Sequence, residues 1–385
     1  MLYNSYIGRI FIMKRFGLGC MRLPLLNKED PTSVDMEYFC KMVDEFLANG
    51  FVYFDTAYMY HGNASEIVVR EGLVKRHPRE SFILADKLPL LSVKMEGDKE
   101  RIFEEQLEKT GVDYFDYYLL HNVNTNTLTK ANRFDCFNFI KQKKEEGIVK
   151  HIGFSYHDNA ELLDQILTEH PEIEFVQIQF NYLDYENTNV QSRKCYETIV
   201  KHGKRVWIME PVKGGMLADP IDEVKELLKA SNPDASPSSW ALRFAASQPA
   251  VDMVLSGMSN MDQLHENMAL MNNFVPLTDE EKAVLKKASD IINSKTAVPC
   301  TGCAYCVPEC PKNIAIPEYF SLYNAAKAYR KMPNQQAYYG NYIRTRGRAS
   351  DCIECHSCEK ACPQHIKISE MLKGVAEMFE PKKKA

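Results

Sequence analysis

From about residue 16 the chain repeats one pattern: a short run that is apolar on both faces, a polar loop, then a stretch of helical period. The apolar runs are FGLGCM (16–21), FVYFD (51–55), FILAD (82–86), YFDYYLLH (114–121), HIGFS (151–155), FVQIQF (175–180), RVWIM (205–209) and VDMVLS (251–256). Short runs of this kind suit strands buried on both faces of a parallel sheet. Helical patterns separate them at MEYFCKMVDEFLANG (36–50), KERIFEEQLEKTG (99–111), DCFNFIKQKKEEG (135–147), AELLDQILTE (160–169), DEVKELLKA (222–230) and SSWALRFAA (238–246). Gly50, Gly111 and Gly147 close three of these patterns, where a left-handed C-cap belongs. Eight strand–helix repeats predict an α/β chain with a (β/α)8 TIM barrel. The alternative is an open doubly wound sheet, which would carry G-x-G-x-x-G after its first strand; GLGCMR does not supply it. Ahead of the first repeat, MLYNSYIGRIFIMKRFG reads as an opening hairpin.

The pattern breaks after EEKAVLKKASDII (280–292). The expected division is a barrel at 1–275, a connecting helix at 276–298 and a small helix-and-loop domain at 299–385. A chain of 385 residues has room for one large core and a smaller companion. Its net charge of -5 gives no reason to expect nucleic acid as a partner. No stretch of about 18 apolar residues occurs, so a membrane span is not expected.

Cysteine changes the picture most. Of 12 cysteines, eight fall in two copies of C-x2-C-x2-C-x3-C-P: Cys300, Cys303, Cys306 and Cys310, then Cys352, Cys355, Cys358 and Cys362. This is metal-ligand spacing, and a reducing cytoplasmic location follows. Tetrahedral zinc is the alternative, but it has no need of that spacing twice. The segment resembles bacterial two-cluster ferredoxins, in which the fourth cysteine of each run ligates the other cluster. That resemblance implies one [4Fe-4S] on Cys300, Cys303, Cys306 and Cys362 and another on Cys352, Cys355, Cys358 and Cys310. The insert between the runs carries Arg330, Lys331, Arg344, Arg346 and Arg348, either plain solvated charge or a docking face for an acidic redox partner such as ferredoxin or flavodoxin.

Chemistry in a barrel of this kind collects beyond the C-terminal strand ends. Reading those positions gives FDTAYMYHGNASE, ADKLP and LLHN, hence Asp55, Tyr60, Lys87 and His121. An ammonium beside a phenol stabilises its phenolate and so acidifies it, an aspartate holds that ammonium in place and charged, and a histidine can orient the acceptor oxygen. These residues look like the Asp-Tyr-Lys-His tetrad of the aldo/keto reductases. FDTAYMYHGNASE resembles that family's DTA-x-x-Y-G-x-x-E signature, and GLGCMRLP the opening of its bacterial members. The resemblance implies a nicotinamide cofactor, NADP(H) or NAD(H), hydride transfer to an aldehyde or ketone (or from the alcohol), and Tyr60 as proton donor.

By the same resemblance Ser155 and Gln177 match contacts to the carboxamide. Ser256, Gly257, Gln263, Glu266 and Asn267 match the adenosine-end segment, and Gly214 lines the pyrophosphate path. There are departures. Tyr156 replaces the family asparagine, Met209 stands where an aromatic ring commonly stacks under nicotinamide, and Gly257 and Gln263 replace the basic clasp of a 2′-phosphate. A changed ring site beside clusters leaves room for a flavin. The leading expectation is an oxidoreductase acting on a small carbonyl or alcohol, coupled to electron transfer through two clusters. A ferredoxin- or flavin-linked reductase and a non-catalytic redox-sensing or scaffold subunit are the alternatives.

Overall fold

The computed structural model describes residues 3–6, 9–12, 14–28, 30–187, 190–329 and 333–380. Arg330, Lys331 and the basic tail at 381–385 lie outside the described residues. The opening hairpin is present as β1 (Tyr3–Tyr6) paired antiparallel with β2 (Arg9–Ile12). Eight strands then follow: β3 (Phe16–Gly19), β4 (Tyr53–Asp55), β5 (Ile83–Pro89), β6 (Phe115–Val123), β7 (Val149–Tyr156), β8 (Phe175–Gln179), β9 (Arg205–Met209) and β10 (Val251–Ser256). They close in chain order, every neighbour parallel, with β10 returning to pair with β3. Closure rules out the open sheet.

The barrel is filled. Tyr53, Tyr117, Phe175, Trp207, Met253 and Leu255 pack together in one buried cluster. Trp207 lies 5.1 Å from the Tyr53 ring, edge-on, and 4.0 Å from Phe175. Rings of this size fit because the backbone yields elsewhere. A Cβ on Gly153 would stand 2.5 Å from the Phe175 carbonyl oxygen, so β7 and β8 approach only because that residue is glycine. A plugged centre leaves the mouth at the C-terminal strand ends as the place for chemistry.

Helices pack outside. Met36–Ala48 starts at Asp35, whose carboxylate accepts the Tyr38 N–H. Asp98–Thr110 stops at Gly111, left-handed at φ 70°, whose N–H returns to the Leu107 carbonyl. Two strands run further than their apolar patterns. β5 reaches Pro89, so Lys87 sits within a strand instead of on the loop beyond it, and β6 reaches Val123, two residues past His121.

Two compact units emerge. The first comprises 1–186, 191–211 and 239–278 and holds the whole barrel. The second comprises 187–190, 212–238 and 279–385. This grouping is not colinear with the chain. Helix Asp222–Ser231 buries Val224 and Leu228 and packs against Asp279–Lys295, which buries Leu285, Ala288 and Ile292. A Lys295–Glu223 ion pair joins the two. The second unit has its own core, built from Tyr319, Phe320, Tyr339, Leu372, Val375 and Phe379. Among the described residues no helix is long and apolar enough to cross a membrane.

The cysteine runs require a correction. Cys300, Cys303, Cys306 and Cys362 line one cavity, and Cys310, Cys352, Cys355 and Cys358 another, so each quartet implied by the ferredoxin resemblance shares a cavity wall. Among the described residues, however, no group of three or more His, Cys, Asp or Glu converges so as to hold a metal ion. A cluster needs its thiolates to meet around one centre. Spacing along the chain brings sulfurs to a common wall without settling that convergence. The two [4Fe-4S] clusters, the ferredoxin-like domain and electron transfer through it are therefore corrected to a helix-and-loop unit with two cysteine-lined cavities. The zinc alternative falls with them. The flavin and the ferredoxin or flavodoxin partner, expected as links to the clusters, are not taken further.

Candidate active site

Three adjacent strands and one turn assemble the tetrad. Asp55 ends β4, Lys87 lies on β5 opposite Leu119 of β6, and His121 lies on β6 opposite Pro89. Tyr60 opens a short turn, Tyr60–Asn63. His61, Gly62 and Asn63 are all left-handed there, at φ 51°, 61° and 70°. This stretch is longer than the DTA-x-x-Y-G-x-x-E spacing it resembles, and the left-handed turn accommodates the excess. His61 locks it: Nδ1 donates to the Pro31 carbonyl at 2.8 Å, and Nε2 accepts the Leu23 N–H at 3.1 Å. That pair of roles defines a neutral tautomer, consistent with burial depressing its basicity.

Lys87 is the hub. Its ammonium donates to Asp55 Oδ1 at 2.5 Å, to the Thr56 carbonyl at 2.7 Å and to Tyr60 Oη at 3.4 Å. All three N–H bonds of the ammonium are thereby directed. Because the Tyr60 oxygen accepts from Lys87, its own hydrogen is left to donate. The His121 ring meets the Tyr60 ring edge-on at 5.9 Å. All four side chains are buried, Tyr60 least so at 9% exposure, which leaves its edge reachable.

The electrostatics differ from the expectation of an acidified tyrosine. Burial pushes the Tyr60 phenol well above its ordinary value, and the Asp55 charge adds to the rise. Lys87 does not reverse this, since its closest partner is the Asp55 carboxylate and the pair's fields oppose each other at the phenol. Burial also raises Asp55, against the pull of Lys87. His121 is driven well below the usual histidine range by burial, then by Lys87 and His157. At neutral pH the site thus presents a protonated phenol and an uncharged imidazole.

Beneath the tetrad lies a polar layer that sequence reasoning missed. Asp86, fully buried, accepts its neighbour's backbone N–H, from Lys87, on Oδ1 at 2.8 Å. Its carboxyl neighbours that of Glu66, also fully buried, and each is pushed up by burial, Asp86 further by the Glu66 charge. Gln106 donates to Glu66 Oε1 at 2.9 Å and to the Lys87 carbonyl at 3.1 Å, and accepts from the Tyr118 hydroxyl at 2.6 Å. Lys109 stands 3.5 Å from Glu66 Oε2. A signal was available: the aspartate of ADKLP, beside Lys87 in a strand otherwise apolar, and the glutamate that closes the DTA stretch.

The residues matched to a cofactor fall in several settings. Ser155 Oγ on β7 accepts the Asn122 N–H at 2.8 Å, leaving its hydroxyl hydrogen to donate. Gln177 on β8 is buried, and its Oε1 has no hydrogen-bond partner among the described residues. Met209 ends β9, followed by Glu210 at φ 53°, whose carboxylate accepts from Gln179 at 3.3 Å. Ser256 ends β10 and its Oγ accepts from buried Asn267 at 3.4 Å. Gly257 lets the Arg22 stem pass, since a Cβ there would stand 3.1 Å from Arg22 Cβ. Gln263 is exposed and accepts the Ser259 N–H at 2.8 Å; Glu266 is exposed on the same helix, Met261–Asn272. Gly214 belongs to the second unit, in a turn at φ 65°.

A closed parallel barrel with this tetrad at its mouth defines an oxidoreductase of the aldo/keto reductase type, and comparison with known proteins agrees. The sequence pattern of the aldo/keto reductase family matches residues 15–290, so the chain belongs to that family. The pattern of the 4Fe-4S dicluster domain matches residues 299–366, a likeness in sequence beside which the correction above stands. The uncharacterized oxidoreductase YqkF of Bacillus subtilis is 24% identical over 303 residues, 70% of this chain and 90% of that protein. The solved aldo-keto reductase AKR11C1 of Bacillus halodurans, holo form, shares the fold at TM-score 0.56 and 24% identity, covering 71% of this chain and 91% of its own. An aldo/keto reductase of Klebsiella pneumoniae in complex with NADP and acetate does so at TM-score 0.58 and 18% identity, over 71% and 91% of the two chains.

Proposed function

We propose that this chain reduces the carbonyl of a small aldehyde or ketone, or oxidises the corresponding alcohol, with Tyr60 as proton donor and acceptor. The observation that carries the reading is the buried Lys87 ammonium held between Asp55 and Tyr60 while the phenol keeps its own hydrogen. Tyr60 gives that hydrogen to the carbonyl oxygen as negative charge develops there. Lys87 steadies the phenolate left behind. Uncharged His121, beside Tyr60, holds the same oxygen without competing for the proton. Burial keeps bulk water from the phenol and strengthens each of these interactions.

The family implies nicotinamide, NADP(H) or NAD(H), which supplies the hydride when bound. The residues fit it. Gln177 Oε1 is an unfilled buried acceptor, and Ser155 next to it on β7 retains a donor, a complementary pair for a carboxamide. Ser256 and Asn267 are proposed to serve the adenosine end, with Gly257, Gln263 and Glu266 around it. The thiol-rich composition supports a reducing, cytoplasmic setting. The test is oxidation of NADPH and of NADH with a panel of small aldehydes and ketones. Tyr60→Phe is expected to lower kcat by about 10²–10⁴-fold with cofactor affinity kept. Undiminished turnover in that variant would remove the proposed acid.

A further inference from the structure

The buried polar layer under the tetrad has a use beyond packing. We propose that Glu66 and Asp86 share a single proton and act as a positioning pair, fixing the Lys87 peptide against the turn that carries Tyr60. The inference rests on the reading of the site given above and assigns a role to two residues outside the tetrad.

The geometry points to the shared proton. Asp86 Oδ2 and Glu66 Oε2 are both buried and without a hydrogen bond among the described residues, the Lys109 ammonium standing off at 3.5 Å from Glu66 Oε2, and they belong to neighbouring carboxyl groups. One proton between them satisfies both atoms; none leaves two buried acceptors in repulsion. The charges agree. Lys87 is matched by Asp55, and Lys109 is shared between Glu105 at 2.7 Å and Glu66 at 3.5 Å. A second carboxylate at Asp86 would stand without a cation of its own in a region where burial strongly opposes it, and its titration is shifted upward accordingly. The other ionisable groups facing the pair are Tyr118 on β6, Tyr60 on the turn and Cys20 just past β3, all raised first by burial and then by the surrounding negative charge, hence neutral.

The pair joins two pieces of the site. Glu66 lies on helix Ser65–Val69, directly after the Tyr60 turn, while Asp86 precedes Lys87 on β5. Asp86 holds the N–H of Lys87, and Gln106, itself held by Glu66, holds the Lys87 carbonyl. The peptide on either side of the catalytic lysine is therefore gripped, and the grip closes through the proton. Loss of the proton pushes helix and strand apart and lengthens the Lys87–Tyr60 contact, already long at 3.4 Å.

The experiment uses the full chain. Infrared spectra near neutral pH are expected to show a protonated carboxyl band in the native protein that is absent in Asp86→Asn. Asparagine still donates to Glu66 and accepts from Lys87, so kcat stays within about threefold of native while its alkaline fall is displaced or lost. Asp86→Leu, which can do neither, is expected to lose about tenfold or more in kcat with little change in KM. Glu66→Gln is the second variant should leucine fail to fold; burial then leaves the proton on Asp86 alone, so the band persists at a shifted frequency, and an unshifted band would place the proton outside the pair. Absence of the band in native protein overturns the inference, as does an unaltered pH profile in Asp86→Asn. Tyr60→Phe separates the two readings, because a band seen alongside undiminished Tyr60→Phe turnover would discard the proposed acid and keep the shared proton.

Discussion

Replacing Lys87 with methionine removes the one cation at the centre of the tetrad while keeping the length of the side chain. Its ammonium stands 3.4 Å from Tyr60 Oη. At that separation a unit positive charge stabilises a full phenolate by about 5 kcal/mol if the effective dielectric is about 20. Asp55, bonded to the same ammonium at 2.5 Å, offsets the smaller part of this. A residual of about 3–4 kcal/mol corresponds to a loss of roughly 10²–10³ in kcat. Stability falls as well, because Asp55 Oδ1 loses its donor inside the barrel; breaking such a pair costs about 3–5 kcal/mol, less whatever is recovered when Asp55 takes up a proton. The assay is steady-state reduction of an aldehyde, paired with thermal unfolding and a fluorescence titration of the nicotinamide. The double change Asp55→Asn with Lys87→Met should regain part of the stability and none of the activity, since it removes the orphaned charge without restoring the cation. A single variant that turned over within about twofold of native would refute the electrostatic role of Lys87.

Other outcomes follow from the same geometry. Asp55 and Asp86 have folded-state values raised above the ordinary carboxylate figure of about 3.9, so the stability they confer is complete below it and declines as pH rises toward the raised values. Asp86→Asn should flatten that part of a plot of unfolding free energy against pH. His121 has the opposite sign. Its depressed value means stability present above about pH 6.5 is lost as pH falls through the folded value, a dependence that His121→Asn should weaken in acid. Gly153→Ala should destabilise the fold by about 1–3 kcal/mol or more of overpacking and so lower the unfolding temperature, because its Cβ would meet the Phe175 carbonyl at 2.5 Å and that backbone is pinned by the β7–β8 ladder. A Tm within error of native would mean the two strands can part.

Much of this molecule could be read from the order of its residues. The eight apolar runs all became barrel strands because their burial on both faces is a local property of composition. Asp55, Tyr60, Lys87 and His121 could be named together because a parallel barrel sends every strand's C-terminal end to the same rim. What the order of residues could not settle were quantities that depend on groups distant along the chain. The acid strength of Tyr60 is one: adjacency to a lysine suggested a lowered value, whereas burial and the Asp55 charge raise it. The cysteine runs are another, since spacing brought each quartet to a cavity without bringing it around a metal position. The Glu66–Asp86 pair is the third, two carboxyls 20 positions apart whose contact exists only once helix Ser65–Val69 has packed behind β5. Local pattern determined which elements form and in what order they close; desolvation and the meeting of distant charges, which arise only from packing, decided what those residues do.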